Sequence, residues 1–168
     1  MVEATRALAA QRNVDLEVQA PDHPCLAEAD VRRVERILRN LVTNAIDHAH
    51  ADGRKAETAR VVLRVAGDDQ AAAIAVRDYG VGLAPGESAM VFNRFWRADP
   101  ARARTSGGTG LGLSISMEDT HLHGGWLQAW GRPGEGSQFR LTLPRRVGGS
   151  LRQSPLPLVP EDAPEPVR

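Results

Sequence analysis

Apolar residues in this chain alternate between two periods, and the switches mark its elements. Val34, Ile37, Leu38, Leu41, Val42, Ala45 and Ile46 recur at three- and four-residue steps, the spacing of one helix face. They predict a helix over 31–49 with that face in the core, and Asp30 is placed to cap its N-terminus. Residues 2–12 read as the end of a preceding helix, and 14–18 alternate as a strand. Pro21 and Pro24 interrupt the chain before the long helix. Residues 60–66 and 72–77 read as two strands joined by Gly-Asp-Asp-Gln, a hairpin. A short helix is expected near 87–92, and another over 111–122, ended by Gly124-Gly125. Residues 126–130 and 137–143 make a last hairpin around Gly-Arg-Pro-Gly-Glu-Gly.

The sum is an α/β chain, an α+β two-layer sandwich in which a mixed, mostly antiparallel sheet carries helices on one face. After Pro144 the composition changes. Residues 145–168 hold much proline and little to bury, so they are expected to form a disordered or polyproline-like tail. Its SPLPLVP stretch reads as a solvated linker rather than a docking motif.

At 168 residues the chain suffices for one domain. Its formal net charge of +0 supplies no bulk field for nucleic acid or an anionic membrane. Cys25 is the single cysteine, which excludes an internal disulfide and points to a reducing cytosol. No apolar run has transmembrane length. Met1 leads straight into helical sequence, as expected of a piece of a longer protein. Lys55 is the single lysine, in a loop-like stretch, so neither a P-loop lysine nor the strand lysine of eukaryotic-type protein kinases can be built. Any cation on phosphate must be arginine or histidine.

Four stretches carry chemistry. In RNLVTNAIDHA, Asn40 and Asn44 lie one helical turn apart on one face. An amide oxygen can ligate Mg²⁺, and an amide can bond phosphate or ribose. In DYGVGL, Asp78 closes a strand, where a carboxylate can accept from an adenine amino group. Gly80 and Gly82 allow close backbone approach to a flat base. In SGGTGLGL, Gly107, Gly108, Gly110 and Gly112 leave backbone N–H groups free for phosphate where a helix opens, and Thr109 adds a hydroxyl. Between them, FNRFWRADP sets Arg94 and Arg97 among aromatics that anchor a loop. Taken singly, each admits a plain reading: solvated amides, an Asp-x-Gly turn, a flexible linker, surface arginines. His121 and His123 point to different helix faces, which argues against a metal pair.

In this order the motifs resemble the catalytic and ATP-binding domain of sensor histidine kinases, the Bergerat fold shared with gyrase, Hsp90 and MutL-type ATPases. RILRNLVTNAIDHA looks like the N box, DYGVGL the G1 box, VFNRFWR the F box and SGGTGLGLS the G2 box. The resemblance covers about 14–144. It implies ATP and Mg²⁺ as ligands, with Asn40 on the metal and Asn44 on phosphate or ribose. It implies Asp78 on adenine, with Gly80 and Gly82 shaping that wall and Ser137 of EGSQF holding Asp78 through water. Arg94 and Arg97 would face the γ-phosphate. Gly108, Thr109, Gly110, Leu111, Gly112 and Leu113 would form the ATP lid. Asp47 and His48 fall at the nucleotide-binding end of the N box. Many family members have a basic residue where this chain has Asp47, which leaves phosphate neutralisation to Mg²⁺, Arg94, Arg97 and His48.

Hydrolytic relatives place a glutamate where this chain has Asn40. An amide cannot take a proton from water, so the resemblance favours phosphoryl transfer to a histidine over ATP hydrolysis. None of His23, His48, His50, His121 and His123 is followed by an acid, as a phosphoacceptor of this family would be. The acceptor is therefore expected on a separate dimerisation hairpin, with residues 1–13 the end of that region. A response regulator, a homodimeric full-length protein anchored in the cell membrane, and a cytoplasmic place for this domain are further implications. A nucleotide-binding regulatory module without phosphotransfer, an ATPase and a serine kinase of the same fold stay open at this point.

Overall fold

The computed structural model describes residues 2–50, 59–96 and 110–165. Among the described residues four helices and five strands follow in the order α1 (Val2–Gln11), β1 (Val14–Gln19), α2 (Val31–His48), β2 (Ala59–Gly67), β3 (Ala71–Asp78), α3 (Glu87–Met90), α4 (Gly112–Leu122), β4 (Trp126–Arg132) and β5 (Gly136–Pro144). The sheet order is β1-β2-β3-β5-β4. β1 runs parallel to β2, and every other pair is antiparallel.

Strand alternation sorts the side chains into two faces. Val61, Val76, Phe139, Leu141 and Leu127 meet Ile37, Leu41, Val42, Ala45 and Ile46 of α2 in one core. Burying each large aliphatic side chain there contributes about 1.5–3 kcal/mol. Asp30 caps α2, its Oδ1 accepting from the backbone N–H of Arg32 and Arg33. α4 is tied to α2 by Asp119, 1% exposed. It accepts from Arg33 and Arg36, each at 2.8 Å. Burial opposes ionisation of Asp119, yet the two guanidiniums outweigh it and hold its carboxyl below the ordinary range. His123, just past α4, adds a second tie. Its Nε2 accepts from the backbone N–H of Asp30 at 3.0 Å, so Nδ1 carries the proton and donates to the Asp119 carbonyl at 2.7 Å.

The opposite sheet face corrects one expectation. Residues 145–165 form no helix or strand, but they are not a disordered tail: they lie as a strap across the sheet. Leu156, 6% exposed, packs against Ala73, Ala75 and Ala66. Arg140 donates to the Leu156 carbonyl, Gln138 to the carbonyls of Pro157 and Leu158, and Thr142 bonds Ser154. A proline-rich segment makes few hydrogen bonds within itself. Its carbonyls are therefore open to the long polar side chains of this face, while the alanines leave room for one leucine. The SPLPLVP stretch thus docks on its own sheet.

Candidate functional site

The ends of α2 and β3, the loop after β3 and the start of α4 converge on one edge of the helical layer. Asp78 is the last residue of β3 and is 0% exposed. Its Oδ1 accepts from the Gly80 backbone N–H at 3.0 Å. Its Oδ2 accepts from the Ser137 hydroxyl at 2.5 Å, a direct bond where a water-mediated one was expected. Burial pushes the Asp78 carboxyl above the ordinary range, and the bonds from Ser137 and Gly80 act against that. Each carboxylate oxygen has two acceptor directions. One on each is used, so the group can still take a hydrogen from an amine.

The glycines of this wall answer to the protein's own backbone. A Cβ on Gly80 would lie 1.6 Å from the His48 carbonyl oxygen, and one on Gly82 1.8 Å from that of Arg132. Gly82 also has a φ of +74°, in the left-handed region that glycine adopts at least cost. Gly80 therefore lets the loop lie against the end of α2, and Gly82 lets it lie against the β4–β5 hairpin. The close approach expected toward a ligand is here an approach that builds the wall.

Asn40 is half-buried on α2 and reaches α4. Its Nδ2 donates to the Gly112 carbonyl and to the Ser116 hydroxyl, each at 3.0 Å. A carbonyl oxygen only accepts, so the amide nitrogen must face α4 and Oδ1 is left for another partner. Asn44 is one turn on, half-buried, and its amide bonds none of the described residues. An oxygen ligand oriented in this way fits Mg²⁺, a hard cation that keeps several waters and takes few protein ligands. Among the described residues no cluster of three His, Cys, Asp or Glu could serve as an alternative metal centre.

The remaining predicted residues divide. His48 is exposed at the end of α2. Asp47 turns away toward α1, its Oδ1 3.7 Å from Arg12. Arg94 is paired with Glu118 of α4, a partner the sequence did not suggest. Phe92 and Trp96 pack on the core, Phe92 edge-on to Phe139 at 6.0 Å, as expected of anchors, but Phe95 is 72% exposed. The Phe95 N–H bonds the Gly110 carbonyl at 3.0 Å, joining the arginine-bearing loop to the glycine motif. Gly110 and Leu111 precede α4, while Gly112 and Leu113 are its first residues. Arg97, Gly107, Gly108 and Thr109 lie outside the described residues.

Sequence reasoning also missed Arg77. Outward alternation in β3 gives it an outer-face position, but nothing in the sequence shows that its guanidinium donates to the carbonyls of Asp78 and Glu135, each at 2.9 Å. Two surface hollows lie elsewhere. One of about 280 Å³ is bounded by Gln19, Pro21, His23 and Arg64, the other of about 470 Å³ by Asp30, Leu122 and Val147.

A buried strand-end carboxylate, a glycine-shaped wall and an oriented helix amide together define a nucleotide-binding class. The chain belongs to the histidine kinase-, DNA gyrase B- and HSP90-like ATPase family, whose model matches residues 29–147. It is similar to sensor histidine kinase MtrB of Mycolicibacterium paratuberculosis, 56% identical over 159 residues, which cover 95% of this chain and 27% of the relative. MtrB of Mycobacterium tuberculosis is 56% identical over 153 residues, covering 91% of this chain and 26% of the relative. The chain thus spans about a quarter of the length of these curated relatives. Among solved structures, full-length ShkA in complex with AMPPNP has a TM-score of 0.72 at 25% identity, over 88% of this chain and 29% of that one. The mycobacterial sensor histidine kinase MprB has a TM-score of 0.67 at 25% identity, over 87% of this chain and 93% of that one. These likenesses agree with the Bergerat-type fold and the histidine-kinase resemblance read from the motifs.

Proposed function

We propose that this chain is the ATP-binding catalytic domain of a sensor histidine kinase, which directs the γ-phosphoryl group of ATP to a histidine on a dimerisation hairpin outside the chain. The carrying observation is Asp78: a fully buried carboxylate, held by Ser137 and Gly80, with acceptor capacity left for one amine. Adenine offers an amino group to such an acceptor, whereas guanine presents a carbonyl at the corresponding position and is repelled.

The chain's own groups divide the remaining work. Asn40 offers Oδ1 to Mg²⁺, and Asn44 and His48 line the same end of α2 for phosphate or ribose. Bound Mg²⁺ would neutralise phosphate charge and polarise the γ-phosphoryl group. Arg97 and the residues Gly108, Thr109, Gly110 and Leu111 are assigned to the phosphates. Arg94 must exchange Glu118 for phosphate to act there. Neither Asn40 nor Asn44 can take a proton, so water is poorly activated and transfer to a nucleophilic imidazole is favoured. Positioning and electrostatics then supply most of the catalysis.

In the full-length protein we assign a homodimeric membrane-anchored receptor whose phosphohistidine passes its group to an MtrA-like response regulator. Among the described residues no helix is long and apolar enough to cross a membrane. The reading is tested by calorimetric titration with ATP and GTP, with and without Mg²⁺, followed by phosphoryl transfer to the separately produced hairpin. Mg²⁺-assisted binding that prefers ATP and is lost in Asp78→Ala, together with labelling of the hairpin histidine, is expected. Binding without transfer would instead make the chain a nucleotide-binding regulatory module.

A further inference from the structure

The strap reaches the residues that flank Asp78. Asp162 Oδ2 accepts from the Tyr79 hydroxyl at 2.6 Å, and its Oδ1 lies 3.5 Å from Arg77 Nε. Arg77 and Tyr79 precede and follow Asp78, so one strap carboxylate holds both neighbours of the buried acid. Arg77 is 5% exposed, and its guanidinium donates to the Asp78, Ser137 and Glu135 carbonyls. It lies 4.6 Å from the Tyr79 ring and 5.1 Å from that of Trp130. Among the described residues Asp162 is the carboxylate paired with this nearly buried cation, whose Nε has no other partner. Two residues on, the Pro164 carbonyl accepts from Arg132 at 2.8 Å. Arg132 is the residue whose own carbonyl Gly82 lies against.

We infer that Asp162 is a positioning residue for the nucleotide-binding edge, acting across the sheet through Arg77 and Tyr79 to fix Asp78 and Ser137 for adenine. The inference rests on the proposed ATP-binding reading. Its physical basis is pre-organisation. Arg77 clamps three carbonyls around the strand end and the hairpin turn, and a buried guanidinium keeps that geometry best with a counter-charge beside it. With the strap carboxylate removed, the ends of β3 and β5 gain freedom that nucleotide binding must take away again. The effect falls on base recognition, because the groups assigned to phosphate lie on α2 and before α4.

The test measures ATP, ADP and GTP affinity by calorimetry on the full chain, beside its Asp162→Ala, Asp162→Asn and Tyr79→Phe variants and the Asp162→Ala/Tyr79→Phe double variant. Thermal midpoints are recorded under the same conditions. Asp162→Ala should weaken ATP and ADP alike, by about five- to tenfold, and lower the ATP-over-GTP preference by a similar factor. Asp162→Asn should fall between, since it can still accept from Tyr79. Tyr79→Phe should add little in the Asp162→Ala background, as expected for residues acting through one contact. Unchanged ATP affinity and preference in Asp162→Ala would overturn the inference, as would a loss that merely follows the folded fraction. If the unaltered chain shows no preference for ATP, the parent reading fails instead, and this one with it.

Discussion

Asp78 and Ser137 face each other across the β3–β5 ladder, and the serine hydroxyl donates to a carboxylate oxygen at 2.5 Å. The acid is fully buried, and burial raises its carboxyl above the ordinary range. Burial therefore works against the charged form of this acid, with Ser137 and Gly80 acting the other way.

Replacing that charge should separate stability from binding. A raised folded value means that the contribution of Asp78 to stability is fully present below the unfolded value of about 3.9 and is lost as pH rises through the folded value. Asp78→Asn removes this loss. The variant should resist urea better than the unaltered chain at pH 7, with the gap closing near pH 3.5. Its ATP affinity should fall by about tenfold or more, because a neutral acceptor replaces a charged one. Urea midpoints at the two pH values and calorimetry at pH 7 check both halves.

Asp119 should show the opposite sign. Burial opposes its charge, but Arg36 and Arg33 prevail and its carboxyl is held below the ordinary range. The stabilisation is present above the unfolded value and lost as pH falls through the folded one. Asp119→Asn should cost about 2–4 kcal/mol at neutral pH by unpairing the tie between α2 and α4. The cost should shrink as acid protonates the native carboxylate, which urea unfolding at pH 7 and pH 3 would reveal.

Asn40→Asp tests the orientation of the helix amide. An aspartate of the same size cannot donate while ionised, so it would set a carboxylate against the Gly112 carbonyl. We expect a loss of about 1–3 kcal/mol and faster amide exchange at the start of α4. An affinity for ATP equally dependent on Mg²⁺ in Asn40→Ala would remove this residue from the metal.

Two glycines distinguish packing from backbone conformation. Gly80→Ala drives a Cβ into the His48 carbonyl oxygen, and no side-chain rotation relieves it. About 3 kcal/mol or more is expected, with loss of ATP binding. Gly134 has a φ of +75° but open space around it, so Gly134→Ala should cost only about 1–2 kcal/mol and leave binding intact. Denaturation midpoints paired with ATP titrations decide between them.

Much of this was written locally. The three-and-four spacing from Val34 to Ile46 gave α2 to within one residue, because a helix face needs only its own periodicity to be seen. Alternation over 14–18 gave β1 for the same reason, and the turn residues between the paired stretches marked the two hairpins. The order of the motifs singles out Asn40, Asp78 and Ser137 as candidates, and the structure adds the bond that joins Asp78 to Ser137. Gly80 and Gly82 were found by position but not by role: what occupies the space of a missing Cβ depends on which backbone folds against it. Asp47 and Arg94 were drawn to Arg12 and Glu118, partners 35 and 24 residues away in sequence, which periodicity cannot pair.

The tail shows the division most clearly. By composition the sequence determined that residues 145–165 form neither helix nor strand, since proline removes donors and no periodic apolar face exists. Only the tertiary structure decided that the segment is nonetheless held. The outer sheet face presents alanines wide enough for Leu156 and long polar side chains that reach the strap's carbonyls. That face is assembled from strands far apart in sequence. Segment composition reports what a stretch can bury within itself, whereas docking depends on the surface that the rest of the chain builds beside it.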